Sequence, residues 1–222
     1  MKINILTIFP EMFEGWINTG MIKIAQEKGL VSFNVIDIRN HTKNKHKKVD
    51  DYPYGGFEGM LMCVEPLDHA IIENKLENTY TIFPSPKGSI LTQKKLIELS
   101  KLEEITLVAG RYEGVDQRFI DLHVDEEISI GDYIITGGEL GIQVILDGVI
   151  RLIPEVLGNN LSYENESFSD DLLEQPQYTR PYDYKGMKVP DVLLCGDPQK
   201  INKWVNDEKY KITKKRRPDL LN

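Results

Sequence analysis

Ile128-Ser129-Ile130-Gly131-Asp132-Tyr133-Ile134-Ile135-Thr136-Gly137-Gly138-Glu139-Leu140-Gly141 is the stretch from which the fold is read. An apolar, strand-like run lies between two glycine-bearing turns. The segment that follows, 139–153, is apolar on nearly every face, and a helix of that kind is predicted to be buried on all sides. Glycines at such turns let backbone come close to a ligand or to another segment. Two readings follow. One is a ligand cradle at a crowded centre, against a second subunit; the other is a tight turn before a core helix. Spacing alone favours the turn.

Upstream of this stretch, apolar runs and helical spacings alternate. Strands are predicted at 3–9, 31–38, 80–83, 105–109 and 126–130, and helices at 16–28, 65–76, 92–101 and 116–122. That alternation argues an α/β fold with a mostly parallel sheet covered on both faces. The loops after residues 83, 109 and 130 then fall at the carboxyl ends of strands, where ligands bind in such sheets. The polar, basic and then glycine-rich segment 39–59 is long enough to be a functional loop.

Downstream, Pro154 and Gly158 close the central helix. The predicted organisation is a cofactor-binding domain over 1–158, an acidic linker over 159–172, and a small, mainly helical domain over 173–222. The last holds a helix around 198–208 and a basic tail at 209–217.

The length of 222 residues suits one large or two modest domains, and 41% hydrophobic residues suffice for a real core. No run of about 18 apolar residues is present, so no transmembrane helix is expected. The opening run reads as a first strand and not as a signal peptide. Cys63 and Cys195 form no metal or redox spacing, and a reducing cytoplasm is the expected location. The net charge of −8 counts against nucleic-acid binding as a global property. Two local clusters, 43–48 and 209–217, still offer phosphate footprints. No dinucleotide fingerprint, phosphate-loop lysine motif, zinc motif or nucleophile elbow is present.

FPEMF (9–13), VDDYPYGG (49–56), SPKG (85–88), GRYEGVDQR (110–118), SIGDYIITGGEL (129–140), RLIPEVLG (151–158), LLEQPQYTRP (172–181) and KKRRPDLL (214–221) run the length of the chain. Together and in this order they closely resemble the bacterial tRNA (guanine-N1)-methyltransferases of the SPOUT superfamily. The resemblance implies a deep trefoil knot in the first domain. It also implies an obligate homodimer with each active site built from both chains, and methyl transfer from S-adenosylmethionine to N1 of the guanosine immediately 3′ of the anticodon in tRNA. An inactive RNA-binding relative and a knotted methyltransferase acting on another RNA base remain as alternatives.

On the same resemblance the donor contacts the backbone of Ile130, Gly131, Asp132, Tyr133, Ile134 and Ile135. Pro86, Gly110, Gly137 and Gly138 shape its cavity, and Tyr112 and Glu113 lie beside it. Read without the family, Gly137-Gly138 is a plain turn and Tyr112 a core aromatic. Arg151 matches the essential arginine of the family, to hold O6 or the adjoining phosphate; the local alternative is a helix pair with Asp147. The family's base, an Asp in a D-S-F run, corresponds to Glu166-Ser167-Phe168, which makes Glu166 the candidate base, with Asp170 and Asp171 nearby. The family needs Mg²⁺, yet the sequence shows no dedicated ligand cage. Lys43–Lys48, Arg180 and the 209–217 run are the expected phosphate contacts. Phe57 and Glu58 interrupt a family glycine turn, Lys87 replaces a glutamine, and Gly141 replaces Pro or Ala.

Overall fold

The computed structural model describes residues 1–157 and 166–221. The chain divides into two compact units, Met1–Gly158 and Asn159–Asn222. In the first unit the elements follow as β1 (Lys2–Thr7), α1 (Glu11–Ile17), α2 (Gly20–Glu27), β2 (Ser32–Asp37), β3 (Asp50–Asp51), β4 (Leu61–Met62), α3 (Val64–Glu73), β5 (Tyr80–Ile90), α4 (Gln93–Leu99), β6 (Glu104–Val108), α5 (Gln117–His123), β7 (Glu126–Ser129) and α6 (Gly138–Ile150). The second unit holds a small hairpin, β8 (Asp183–Tyr184) with β9 (Met187–Lys188), and α7 (Pro198–Arg216).

Five strands form one sheet in the order β2-β1-β6-β5-β7, and every pairing in it is parallel. Parallel strands are buried on both faces and so read as nearly continuous apolar runs. β1 shows this, with every residue from Ile3 to Thr7 buried. Alternate side chains feed two cores. Ile3, Ile5, Ile105 and Leu107 pack with Phe13, Ile22, Leu99 and the α6 residues Ile142, Ile145, Leu146 and Val149. Leu6, Ile8 and Val108 pack on the other face with Leu67, Ala70 and Ile71 of α3 and Phe119 of α5.

Four predictions need correcting. The helix expected over 16–28 is two helices. Asn18 Nδ2 donates to Glu14 O at 2.7 Å and Thr19 Oγ1 to Gly15 O at 2.6 Å; Thr19 is then extended and Gly20 left-handed, at φ +60°. Such local side-chain bonds compete with the helix ladder. The strand expected at 80–83 with a loop after it is one longer strand, β5, with an excursion at 84–88. The strand pairs with β7 before it, at Pro84, and again after it, at Ser89. The central helix is not covered all round in one chain, because Leu140 and Val144 are 50% and 51% exposed on one stripe. The basic tail, finally, is the end of α7. Asp197 caps its N-terminus through Gln199 N–H at 3.0 Å, and Lys214, Lys215 and Arg216 sit at the negative end of its dipole.

The expected linker lies outside the described residues as far as 165. Residues 166–172 fold with the second unit. Lys209, buried in α7, pairs with Asp170, and Leu173 N–H donates to Thr213 Oγ1 at 2.8 Å. Lys209 is therefore withdrawn from the expected phosphate contacts. Among the described residues no helix is long and apolar enough to cross a membrane.

Candidate active site

The sheet ends where the site begins. The excursion 84–88 of β5, the loop after β6 and the loop after β7 converge on an open cleft with a cavity volume of about 310 Å³. Of the residues expected around a donor, Pro86, Gly110, Tyr112, Glu113, Ile130, Gly131, Tyr133, Ile134, Ile135, Gly137 and Gly138 line it. Asp132 is exposed and does not line it. Lys87 stands on the rim, so this departure from the family pattern adds a cation there.

Glycines set the spacing of part of this wall. Gly138 N–H donates to Gly110 O at 2.8 Å. A Cβ at Gly138 would stand 2.9 Å from Gly110 N and 3.0 Å from Ala109 Cα. Its neighbour Gly137 lies directly against the Arg111 guanidinium. These glycines are needed for close approach of two segments, which a plain turn does not require. Gly141 continues the pattern. A Cβ there would meet Pro84 Cβ at 3.2 Å, so the alanine common in the family would press on the β5 excursion.

Beneath this wall lies a group that the sequence did not single out. Arg111 Nε donates to Glu139 Oε2 at 2.8 Å, and Thr7 Oγ1 donates to Glu139 Oε1 at 2.9 Å. Glu139 is wholly buried in the first turn of α6, where the helix dipole favours a carboxylate. The Arg111 guanidinium also lies over the Phe9 ring, 4.6 Å from its centroid. One ion pair thus joins β1, the loop after β6 and the start of α6. The signal was present as the Arg of GRYEG and the Glu of GGEL, 28 residues apart.

Tyr112 is half-exposed and left-handed, at φ +60°, so it is no core aromatic. Partial burial and the nearby Asp50 carboxylate push its phenol above the ordinary range. Glu113 faces the glycine turn, its side chain against Gly59. In that turn the left-handed positions are Gly55, Gly56 and Gly59, whereas Phe57 and Glu58 are not left-handed. The two substitutions therefore leave the turn's special conformations on glycine. Burial raises the Cys63 thiol, and Cys195 is exposed.

Arg151, one of the expected catalytic pair, does not line this cleft. Arg151 caps the far end of α6, its backbone N–H donating to Asp147 O at 3.3 Å. At about 1.5 Å per residue that end lies roughly 20 Å along the helix from Gly138. Glu166 belongs to the second unit, where its carbonyl accepts from Ser169 N–H at 3.2 Å and Ser169 Oγ at 2.6 Å. Phe168 and Asp171 next to it are left-handed, at φ +73° and +59°. Among the described residues no group of three or more His, Cys, Asp or Glu gathers to hold a metal ion.

The family model described as tRNA (Guanine-1)-methyltransferase TrmD matches residues 1–222. The chain is 51% identical to a tRNA (guanine-N(1)-)-methyltransferase of Halalkalibacterium halodurans, over all of this chain and 91% of that protein. It is 51% identical to the protein of the same name from Carboxydothermus hydrogenoformans, over all of this chain and 87% of that protein. The corresponding protein of Clostridioides difficile is 47% identical, over 99% of this chain and 97% of its own length.

Proposed function

The chain belongs to the tRNA (guanine-1)-methyltransferase family, and from that premise we propose that it transfers the methyl group of S-adenosylmethionine to N1 of the guanosine immediately 3′ of the anticodon in tRNA. The observation that carries this reading is the convergence of the β5 excursion and the loops after β6 and β7 on one glycine-bearing cleft. A cavity of about 310 Å³ is within the range of small-molecule sites. Glycine-lined backbone suits a bent ligand, and its amides and carbonyls satisfy an adenine without side chains. The residues that would hold the donor are those of 130–135, with Pro86, Gly110, Gly137 and Gly138.

Bound S-adenosylmethionine supplies an electrophilic methyl on a positively charged sulfur. The chain must do the rest. Guanine N1 carries a proton at neutral pH, and as it leaves, charge moves toward O6. The site needs a carboxylate at N1 and a cation at O6. Glu166 is the proposed proton acceptor and Arg151 the proposed cation, at O6 or the adjoining phosphate. Glu166 keeps the charge of the family's Asp and adds one methylene of reach.

Two observations support a homodimer with shared sites. Leu140 and Val144 form an exposed apolar stripe on α6, and Arg151 stands at the opposite end of that helix from the cleft. Two copies pairing antiparallel along the stripe bring the end of one helix to the start of the other. The trefoil knot, like the donor, enters the proposal from the family. Magnesium remains part of the proposal from the family alone. The described residues do not gather a protein cage for it, and no step here passes through it. Location in the cytoplasm accords with the substrate.

The test is single-turnover transfer of labelled methyl to transcript tRNA carrying either G or A immediately 3′ of the anticodon. Label is expected on the G transcript alone. Glu166→Gln and Arg151→Ala are each expected to slow transfer by about 10²-fold or more. Equal labelling of both transcripts would contradict the target assignment. Near wild-type transfer by Glu166→Gln would remove Glu166 as base.

A further inference from the structure

The connection 52–60 between β3 and β4 exposes three large rings: Tyr54 at 95%, Tyr52 at 78% and Phe57 at 74%. None of the three makes a ring contact with another aromatic side chain among the described residues. A cluster of this kind is informative in a way that single exposed apolar side chains are not.

The cluster is held beside the cleft. Glu113 N–H donates to Met60 O at 3.0 Å, and Met62 N–H donates to Gly114 O at 3.0 Å. Gly59 packs on the Glu113 side chain, which lines the cleft. The Phe57 ring is seated on its own turn. Its Cε2 lies 2.8 Å from where a Cβ on Gly55 would stand, and Gly55 is left-handed at φ +93°. Any side chain at 55 would displace the ring.

Charge indicates the occupant. Lys43, Lys45, Lys47 and Lys48 precede β3, all exposed. Lys47 bonds Asn40 and Lys48 pairs with Asp51, while Lys43 and Lys45 have no side-chain partner among the described residues. Along the chain the lysines come first, and Asp50, Asp51 and Glu58 follow among the rings. Aromatic faces beside a cationic track are the elements that bind unpaired nucleotides, since every base has a face to stack and each linking phosphate a charge to meet. Extruding one base for chemistry also bares the faces of its neighbours in the strand.

We propose that Tyr52, Tyr54 and Phe57 form a stacking surface for an unpaired nucleobase adjacent to the methylated one, with the lysines at 43–48 meeting the linking phosphates. The proposal rests on the RNA-methylating reading above and extends it to a second base. The cluster replaces, for the flanking nucleotide, the stacking lost when the target leaves the strand.

The experiment uses full-length chain and tRNA transcript with 2-aminopurine at a position flanking the target guanosine. Wild-type protein is expected to quench its fluorescence as the base stacks. The double variant Tyr54→Ala/Phe57→Ala is expected to lose that quenching and to bind tRNA about tenfold more weakly or worse. The double variant's KM for tRNA rises while its affinity for S-adenosylhomocysteine stays unchanged. Tyr54→Phe/Phe57→Trp, which keeps two ring faces, restores both signals. Unchanged quenching and unchanged KM in a folded double variant overturn the proposal. So does a double variant whose oligomeric state changes, since the rings then contact a second copy. Quenching by a wild-type protein that methylates no tRNA would contradict the methyltransferase reading and leave the stacking surface standing.

Discussion

The floor of the cleft and the segment 166–174 are held in place by different means. At the floor, a wholly buried Glu139 meets Arg111 and Thr7, and glycine backbone packs against backbone at Gly110 and Gly138. In 166–174 the chain is a succession of turns, with left-handed Phe168 and Asp171, tied to α7 by Lys209, Thr213 and the Arg217 guanidinium over Phe168. The first region is part of the core and moves only if the core does. The second hangs on a few side-chain contacts to one helix. A methyl donor must be positioned with little tolerance, whereas a segment that supplies a proton acceptor to an incoming tRNA must admit a large substrate first. On the proposed roles, donor binding falls to the fold and base handling to a turn.

Variants at each place should break this contrast in different ways. The largest effect is expected at the floor. Arg111→Met leaves Glu139 buried without its cation, and removing one partner of a buried pair costs about 3–5 kcal/mol. Chemical denaturation of the variant should show that loss, and binding of S-adenosylhomocysteine should fall with it. Gly138→Ala comes next. Its methyl meets the backbone of Ala109 and Gly110, and overpacking of that kind costs about 1–3 kcal/mol; a melt together with donor titration measures it.

Lys209→Met should separate methyl transfer from stability and donor binding. The Asp170 carboxylate is half-exposed, so the stability loss is about 1 kcal/mol or less. Single-turnover methyl transfer should still fall, because the turn bearing Glu166 is loosened, while donor affinity holds. The smallest effect concerns acid stability. The Arg118 guanidinium, followed by the Arg118 backbone N–H, holds the Asp116 carboxyl below the usual carboxylate range, against opposing desolvation. A depressed folded pKa contributes stability that is complete above the unfolded value and disappears as pH falls through the folded one. Asp116→Asn keeps a capping side chain for α5, so its melting temperature should drop less steeply than wild type below about pH 4.

The two regions were also unequally legible. Strands such as β1 and β6 announce themselves because buried parallel strands are continuous apolar runs. The loops at their ends then follow from the sheet's own geometry. The break at Asn18-Thr19 did not show, because it depends on two side-chain bonds to carbonyls four residues back. The outward stripe of α6 was invisible for a different reason: Leu140 and Val144 are the same letters whether they face a core or a partner. The Arg111–Glu139 pair lay inside two quoted motifs, but spacing does not reveal that residues 28 apart meet. In α7 the basic run suggested a phosphate-binding tail, and only the fold shows that Lys209 is buried and paired with Asp170.

The measurement that bears most directly on the central claim is isothermal titration of S-adenosylhomocysteine into the wild-type chain and into Gly138→Ala, with NAD as the competing nucleotide. The account predicts saturable binding of S-adenosylhomocysteine to wild type, none of NAD, and affinity weakened by about tenfold or more in the folded alanine variant. Equal affinity in the two proteins, or binding of NAD in place of S-adenosylhomocysteine, would contradict a donor site made from the backbone of these loops.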